Sequence, residues 1–406
     1  MTGPLEDVKI LDLTEYITGP YATKMFADYG ADVLKVERPR GDPARQLGPF
    51  PDDTPHPERS GTFFYFNTNK RSIVLDLGHP RGREVLGSLV DRADLVVESF
   101  RPGALDQLGV GWDWIRERRA DLPLVSISNF GQDGPYRDYK GSELVLFGFG
   151  GEMYTMGLPD RAPVKMYGTA ALVQSGAAAS VAMMAAMMAG REQGIGQHVD
   201  FSIFDSQMGS ADRRHANLVA WEYAGKRVLR SGALTAGMAH GAHRCVDGWV
   251  EFTAAGQRRD RLSNMLGNPD WFEDPKWKAP AAAFDPALVD EFNDRFSAWL
   301  ATRTKREVFA QAREAKVLCG PLFTVRELFE DEHFRERSFW ETVEHAELGT
   351  FEMPGRPFVM SASPWELRRP APLLGEHTRE VLGEAGWNNA RVEELVVENV
   401  VYEAKS

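Results

Sequence analysis

The chain has 406 residues, 43% of them hydrophobic and 26% charged, enough for two domains or one large domain with an insertion. Its net charge of −12 argues against general nucleic-acid binding, which needs clustered positive charge, but leaves room for a small anion held by local basic residues. Cys245 and Cys319 are too far apart for a disulfide framework or a zinc spacing, and MTGPLEDVKI lacks the basic and apolar regions of a signal peptide, so a cytoplasmic location is expected.

Five β-rich runs recur in the first third: VKILDL (8–13), DVLKVE (32–37), SIVLDL (72–77), DLVVESF (94–100) and LPLVSISNF (122–130). Helix-like stretches such as GPYATKMFADYG and PRGREVLGSLVDRA separate them. Strand and helix in alternation, with spacers long enough for crossovers, predict a parallel sheet with ligands beyond the carboxyl ends of its strands. After the second run come Glu37, Arg38, Pro39 and Arg40. After the fourth, the turn Ser99, Phe100, Arg101, Pro102, Gly103 and Ala104 opens a helix, where free backbone N–H groups favour an anion. FNTNKRS, with Asn69, Lys70 and Arg71, precedes the third. Each cluster alone reads as solvated charge at a strand end. Three at corresponding places in one sheet predict a phosphate-bearing ligand. GxGxxG, P-loop, HExxH and GxSxG signatures are missing, and the GxG of GIGQHV precedes a strand and reads as a turn.

Residues 163–205 follow, PVKMYGTAALVQSGAAASVAMMAAMMAGREQGIGQHVDFSIFD, with no charge between Lys165 and Arg191. Such a run is long enough to span a membrane. Its Ala, Gly and Ser contribute little to insertion, Gln174 interrupts it, and no second span exists, so no membrane partner is expected. A helix apolar all round predicts a buried central helix whose small side chains let neighbouring backbones approach. HVDFSIFD alternates like a strand. From 221 to 316 helix patterns dominate, after a loop-like stretch at 231–252. His240 and His243 stand three apart with no third ligand nearby, so no metal site is expected.

Together these segments resemble the class III CoA-transferases, the family of formyl-CoA and carnitine CoA-transferases and α-methylacyl-CoA racemases. The resemblance is carried by LDLT (11–14), GPYAT (19–23), DYGADVLKVERPRGDPAR (28–45), FNTNKRSIVLDL (66–77) and VVESFRPGAL (96–105). It continues through GIGQHVDFSIFD (194–205), CGPLFTVREL (319–328) and APLLGEHTREVL (371–382), all in family order. It implies an α/β fold with a Rossmann-like large domain (1–220), a small domain (221–325) and a C-terminal return to the large domain (326–406). Two such chains interlock in this family. By motif position, Arg38, Leu75, Ser99, Phe100, Arg101 and Ala104 line the nucleotide part of CoA or acyl-CoA, and Lys140 lies near the CoA chain.

The family's nucleophile is an aspartate that attacks the acyl-CoA thioester, giving a mixed anhydride and then an aspartyl-CoA thioester. Counted from VVESFRPGAL and Gly176, its place falls on Leu172, which cannot form the anhydride. Thr169, Gln174 and Ser175 are poor substitutes without a base, and no Asp or Glu lies between Asp160 and Glu192. Glu143 matches a family acidic position on the opposite wall. The racemase histidine is Ser142 here, so proton exchange lacks both partners. The chain therefore resembles the aspartate-lacking subunit of a heteromeric benzylsuccinate CoA-transferase. Its implied partners are an Asp-bearing paralogous subunit, in an interlocked heterodimer or heterotetramer, an acyl-CoA and a carboxylic acid. Two alternatives stay open: a homodimeric acyl-CoA enzyme of altered mechanism using Glu143 or direct thiolate–acyl chemistry, and a non-catalytic CoA-binding scaffold.

Overall fold

The computed structural model describes residues 3–209, 214–225, 230, 237–253 and 258–404. The chain forms two compact units, Met1–Thr155 with Val164–Val228 and Ser338–Ser406, and Met156–Pro163 with Leu229–Arg337. The expected divisions at 220/221 and 325/326 lie several residues from these, and 156–163 joins the second unit.

In the larger unit the β-rich runs become β1 (Lys9–Leu13), β2 (Asp32–Glu37), β3 (Lys70–Leu75), β4 (Leu95–Glu98), β5 (Leu124–Ser128) and β6 (His198–Ser202). They pair in parallel in the order β3-β2-β1-β4-β5-β6. Helices α1 (Thr18–Ala27), α2 (Gly61–Asn67), α3 (Pro80–Val90), α4 (Ala104–Gln107) and α5 (Trp112–Arg118) lie among the first five strands. Helices α6 (Glu143–Phe149), α7 (Glu152–Thr155) and α8 (Ala170–Gln193) precede β6; α9 (Ile203–Gly209) and α10 (Arg214–Ala224) follow it. The strand reading of HVDFSIFD holds only to Ser202, where the chain turns into α9.

Side chains alternate along a strand, so each strand feeds two cores. Leu11, Leu13, Leu34, Val36, Ile73, Leu75 and Val96 join α3 residues on one face. Ile10, Val33, Leu95, Val97, Val125 and Ile127 join residues of α1 and α8 on the other. Strand order reverses between β1 and β4, creating a crevice at the carboxyl ends where ligands bind in doubly wound sheets.

Two expectations need correction. Lys70 and Arg71 open β3, so they lie at the amino end of the sheet and not beside Arg38 or the 99–104 turn. The helix α8 is not buried all round. It buries Leu172, Ser175, Gly176, Ala179, Met183 and Met187, while Gln174, Ala177, Val181, Ala185 and Met188 are exposed at helical spacing. The cause is its close seat on α1: a Cβ at Gly176 would lie 2.7 Å from Thr18 O, so only that face approaches the sheet. Among the described residues it is one helix long and apolar enough to cross a membrane.

In the smaller unit the segment read as loop-like forms a hairpin, β7 (Gly241–Cys245) and β8 (Gly248–Phe252), while 231–236 lie outside the described residues. Helices α11 (Arg259–Leu266), α12 (Pro286–Leu300) and α13 (Lys305–Glu314) pack there around Phe252, Phe272, Trp277, Phe292 and Phe296, and β9 (Cys319–Pro321) pairs with β8. His243 packs edge-on against Phe252 and Phe296, with Nε2 3.2 Å from the His240 carbonyl oxygen.

The chain then returns to the larger unit. The hairpin β10 (Trp340–His345) and β11 (Gly349–Pro354) packs with Phe63 and Phe64 of α2. After two further helices, Thr378–Glu384 and Asn389–Val397, a last strand (Val401–Tyr402) adds antiparallel to β3.

Candidate functional site

A cleft of about 780 Å³ opens in the larger unit beyond the carboxyl ends of β1, β4 and β5. Its walls are Glu15, Tyr16, Thr18 and Gly19 after β1, the 99–104 turn after β4, residues 127–129 at the end of β5, and 137–143 leading into α6. Leu146, Leu172 and Ile203 close one end.

Buried charges fix the wall after β1. Asp12 Oδ1 accepts the Thr14 N–H at 2.9 Å, and Oδ2 accepts from Thr23 (2.7 Å) and from Lys70 Nζ (3.0 Å). Lys35 Nζ donates to Thr14 O at 2.9 Å and pairs with Asp42 at 2.7 Å; Asp42 accepts the Tyr16 N–H at 3.0 Å. That last bond helps hold Tyr16 at φ 75°, a left-handed conformation uncommon for an aromatic residue. Burial pushes the Asp12 carboxyl up, but Lys70, Lys35 and the hydroxyls of Thr14 and Thr23 outweigh it and hold it below the usual range. Burial likewise pushes the Lys70 ammonium down to about 8, against the pull of Asp12. Its three acceptors, Asp12, Pro20 O and Asn67 Oδ1, all lie within 3.0 Å. A fully buried charge persists only with such compensation.

The turn after β4 is tied to this wall, since Ser99 Oγ accepts the Glu15 N–H at 2.8 Å. Glu15 also pairs with Arg38 at 2.5 Å; burial lifts its carboxyl and Arg38 opposes the lift. Of the residues expected at the nucleotide, Ser99, Phe100, Arg101 and Ala104 line the cleft, as does Lys140. Arg38 stands outside the lining and pairs with Glu15, which lines it. Leu75 is 1% exposed and its side chain belongs to the sheet core, because its place on β3 turns it inward. Tyr16, Arg137 and Tyr139 also line the cleft and went unread, because they lie on loops with no strand-end pattern to mark them.

At the closed end, Leu172 sits in the first turn of α8, 4% exposed. Thr169, at the N-cap, makes no side-chain cap. Glu143 supplies the cap from α6: Oε1 accepts the Ala171 N–H at 3.1 Å and Oε2 the Leu172 N–H at 3.2 Å. A carboxylate at a helix N-terminus is favoured by the helix dipole and satisfies free donors. Lys165 Nζ lies 3.8 Å from Oε1. Ser175 bonds Ser206 and Gln207, Ser142 caps α6 through the Val145 N–H, and Gln174 points to solvent. Ile127, Leu146, Leu172 and Ile203 make this end apolar. Beside it Phe130, Tyr136, Tyr139, Phe149 and Phe204 form a continuous ring cluster with centroids 5.1–6.4 Å apart. The cleft thus joins a cation-bearing mouth (Arg101, Arg137 and Lys140) to an apolar end whose nearest carboxylate is occupied by a helix.

A doubly wound sheet with a ligand-sized cleft at its switch point defines a ligand-binding α/β protein. The chain belongs to CoA-transferase family III, which it matches over residues 5–378. It is thus of a transferase family whose substrates are CoA thioesters. It is 32% identical over 404 residues to the succinyl-CoA:(R)-benzylsuccinate CoA-transferase subunit BbsE of Thauera aromatica, covering 97% of each chain. It is 34% identical over 420 residues to the formyl-CoA:oxalate CoA-transferase of Streptomyces avermitilis, covering 99% of this chain and 100% of that one. Among solved structures, a CAIB/BAIF family protein from Brucella suis superposes with a TM-score of 0.82 at 27% identity, over 95% of this chain and 100% of the other.

Proposed function

We propose that this chain is the CoA-binding, aspartate-lacking subunit of an acyl-CoA:carboxylate CoA-transferase, with an aryl-substituted dicarboxylate of the benzylsuccinate type on the acyl side. The observation that carries the reading is the closed end of the cleft. Leu172 offers no lone pair where a nucleophile would meet the thioester, and Glu143 has both oxygens engaged by α8. Anhydride formation needs a carboxylate free to attack, so that step is assigned to a paralogous partner carrying the aspartate. Ser99, Phe100, Arg101 and Ala104 hold the phosphate-bearing part of CoA, with Lys140 along its chain and Arg38 acting through Glu15. The aromatic and aliphatic residues at the far end suit an aryl acid. The likeness to the subunit named for benzylsuccinate supports this assignment, and the exposed apolar strip of α8 supports a partner.

The test is covalent trapping. The isolated chain, incubated with succinyl-CoA and then hydroxylamine or borohydride, is expected to yield no modified peptide. Co-expressed with an Asp-bearing paralogue, it is expected to form a mixed complex in which only the paralogue is modified. An adduct on this chain, at Glu143 above all, would favour the altered-mechanism homodimer instead.

A further inference from the structure

Glu98 is the last residue of β4 and is 5% exposed. Its Oε2 accepts the Phe100 N–H at 2.6 Å, so the carboxyl folds back over the turn whose Ser99, Phe100 and Arg101 line the cleft. Because Ser99 also holds the Glu15 N–H, the shape of two cleft walls depends on this turn. Ser126, the register partner of Glu98 on β5, stands beside the same carboxyl and its hydroxyl favours the ionised form. Its Oγ lies 2.8 Å from His198 Nε2 on β6, and the exposed His198 ring stacks on Trp112. A row of polar groups, Glu98, Ser126 and His198, therefore leads from under the turn to the surface.

The other charged groups bearing on Glu98 are Asp106 of α4 and Asp200 of β6, both acidic; Arg101, on its own turn, is exposed. Burial pushes the Glu98 carboxyl up to about 7, the Ser126 hydroxyl and the Phe100 N–H oppose this, and Asp106 and Asp200 add to it.

We propose that Glu98 is a proton-coupled positioning residue for the anionic end of the ligand: it shapes the 99–101 turn through the Phe100 N–H and, where it is still ionised, takes up a proton when an anion docks there. The inference rests on the CoA reading above. An anion at the turn raises the proton affinity of a nearby carboxylate, and by reciprocity the protonated carboxyl favours the anion. The proton balance is closed. One proton leaves a hydronium ion or buffer acid in the solvent, which is left as its conjugate base, and ends on the Glu98 carboxylate. The resulting acid keeps an acceptor oxygen for Phe100, so the turn retains its shape while its charge changes.

Calorimetric titration with CoA between pH 6 and 8.5, in paired buffers of different ionisation enthalpy, counts the protons taken up. Wild type is expected to bind more weakly as pH rises through about 7, by a factor of about five or more relative to Glu98→Gln across the range. Glu98→Gln keeps the acceptor for Phe100 but does not titrate, so it should show only the proton uptake of the ligand's own phosphate. Ser126→Ala removes a hydroxyl that favours the ionised form and should move the break to higher pH; it keeps the test decisive if Glu98→Gln does not fold. Wild type that binds CoA with the same pH profile and proton count as both variants overturns this inference alone. Wild type that does not bind CoA overturns the functional reading and this inference with it.

Discussion

Leu172 and Glu143 meet at the first turn of α8, and the two N–H groups there explain why one carboxylate does not stand in for another. Leu172→Asp is expected to give no acyl adduct. Catalysis needs the carboxylate held at attack geometry, and here it would lie beside an anion already holding the helix. It is also expected to lower stability by about 1–3 kcal/mol near pH 8, since a buried acid beside another carboxylate resists ionisation. The sign follows from linkage: its folded pKa would sit above the unfolded value, so the cost begins near pH 4, is smaller at pH 5 than at pH 8, and is complete once pH passes the folded value. Urea unfolding at both pH values, with mass spectrometry for adducts, reads both outcomes; greater stability at pH 8 than at pH 5, relative to wild type, would defeat the argument. The position of Leu172 was legible from its spacing to Gly176 and from the family resemblance. The cap was not, because Glu143 lies 28 and 29 residues from the groups it binds and only the fold brings them together.

The uncharged run at 166–190 was legible as one helix, and its small residues as a sign of close packing. Which face packs was not legible, because small residues surround the helix and its amphipathicity is weak. Gly176 shows what the contact requires. An alanine there gains about 1 kcal/mol of helix propensity, yet its Cβ would lie 2.7 Å from Thr18 O, a backbone atom that moves only with α1. Overpacking costs about 1–3 kcal/mol, so a net loss is expected for Gly176→Ala. Gly383, exposed in the 378–384 helix with no atom within 4 Å of its added Cβ, is the control: Gly383→Ala should stabilise by about 0.4–1 kcal/mol. Thermal unfolding of the two variants should shift in opposite directions, and a stabilised Gly176→Ala would mean α1 and α8 are less tightly seated than described. The strands were the most legible elements, since their apolar runs are buried on both faces. Lys70 and Arg71 were misplaced although the sequence marks their end: FNTNKRS precedes its strand, and in a parallel sheet that is the amino end, away from the cleft.

At the scale of the molecule, the unread half of α8 becomes the informative one. Val181 is 70% exposed and Met188 55%, in line with Ala177 and Ala185. On α10 of the same unit, Val219, Trp221 and Tyr223 are exposed as well. Apolar surface gathered on a long, charge-poor helix of a chain with net charge −12 marks an interaction face more readily than a solvated one. A stable assembly on such a face should bury at least the ~1,600 Å² of a standard interface, and an interlocked one considerably more. Val181→Glu places a charge at the centre of the strip without touching α1, the cleft or Glu143. If the strip receives the partner, this variant is expected to lose the mixed complex in native mass spectrometry after co-expression with the Asp-bearing paralogue. Circular dichroism of the surviving chain separates lost docking from lost folding, since an obligate subunit can suffer both. A variant that assembles as wild type does would leave the strip solvent-facing in the complex and remove the structural support for a partner on this face.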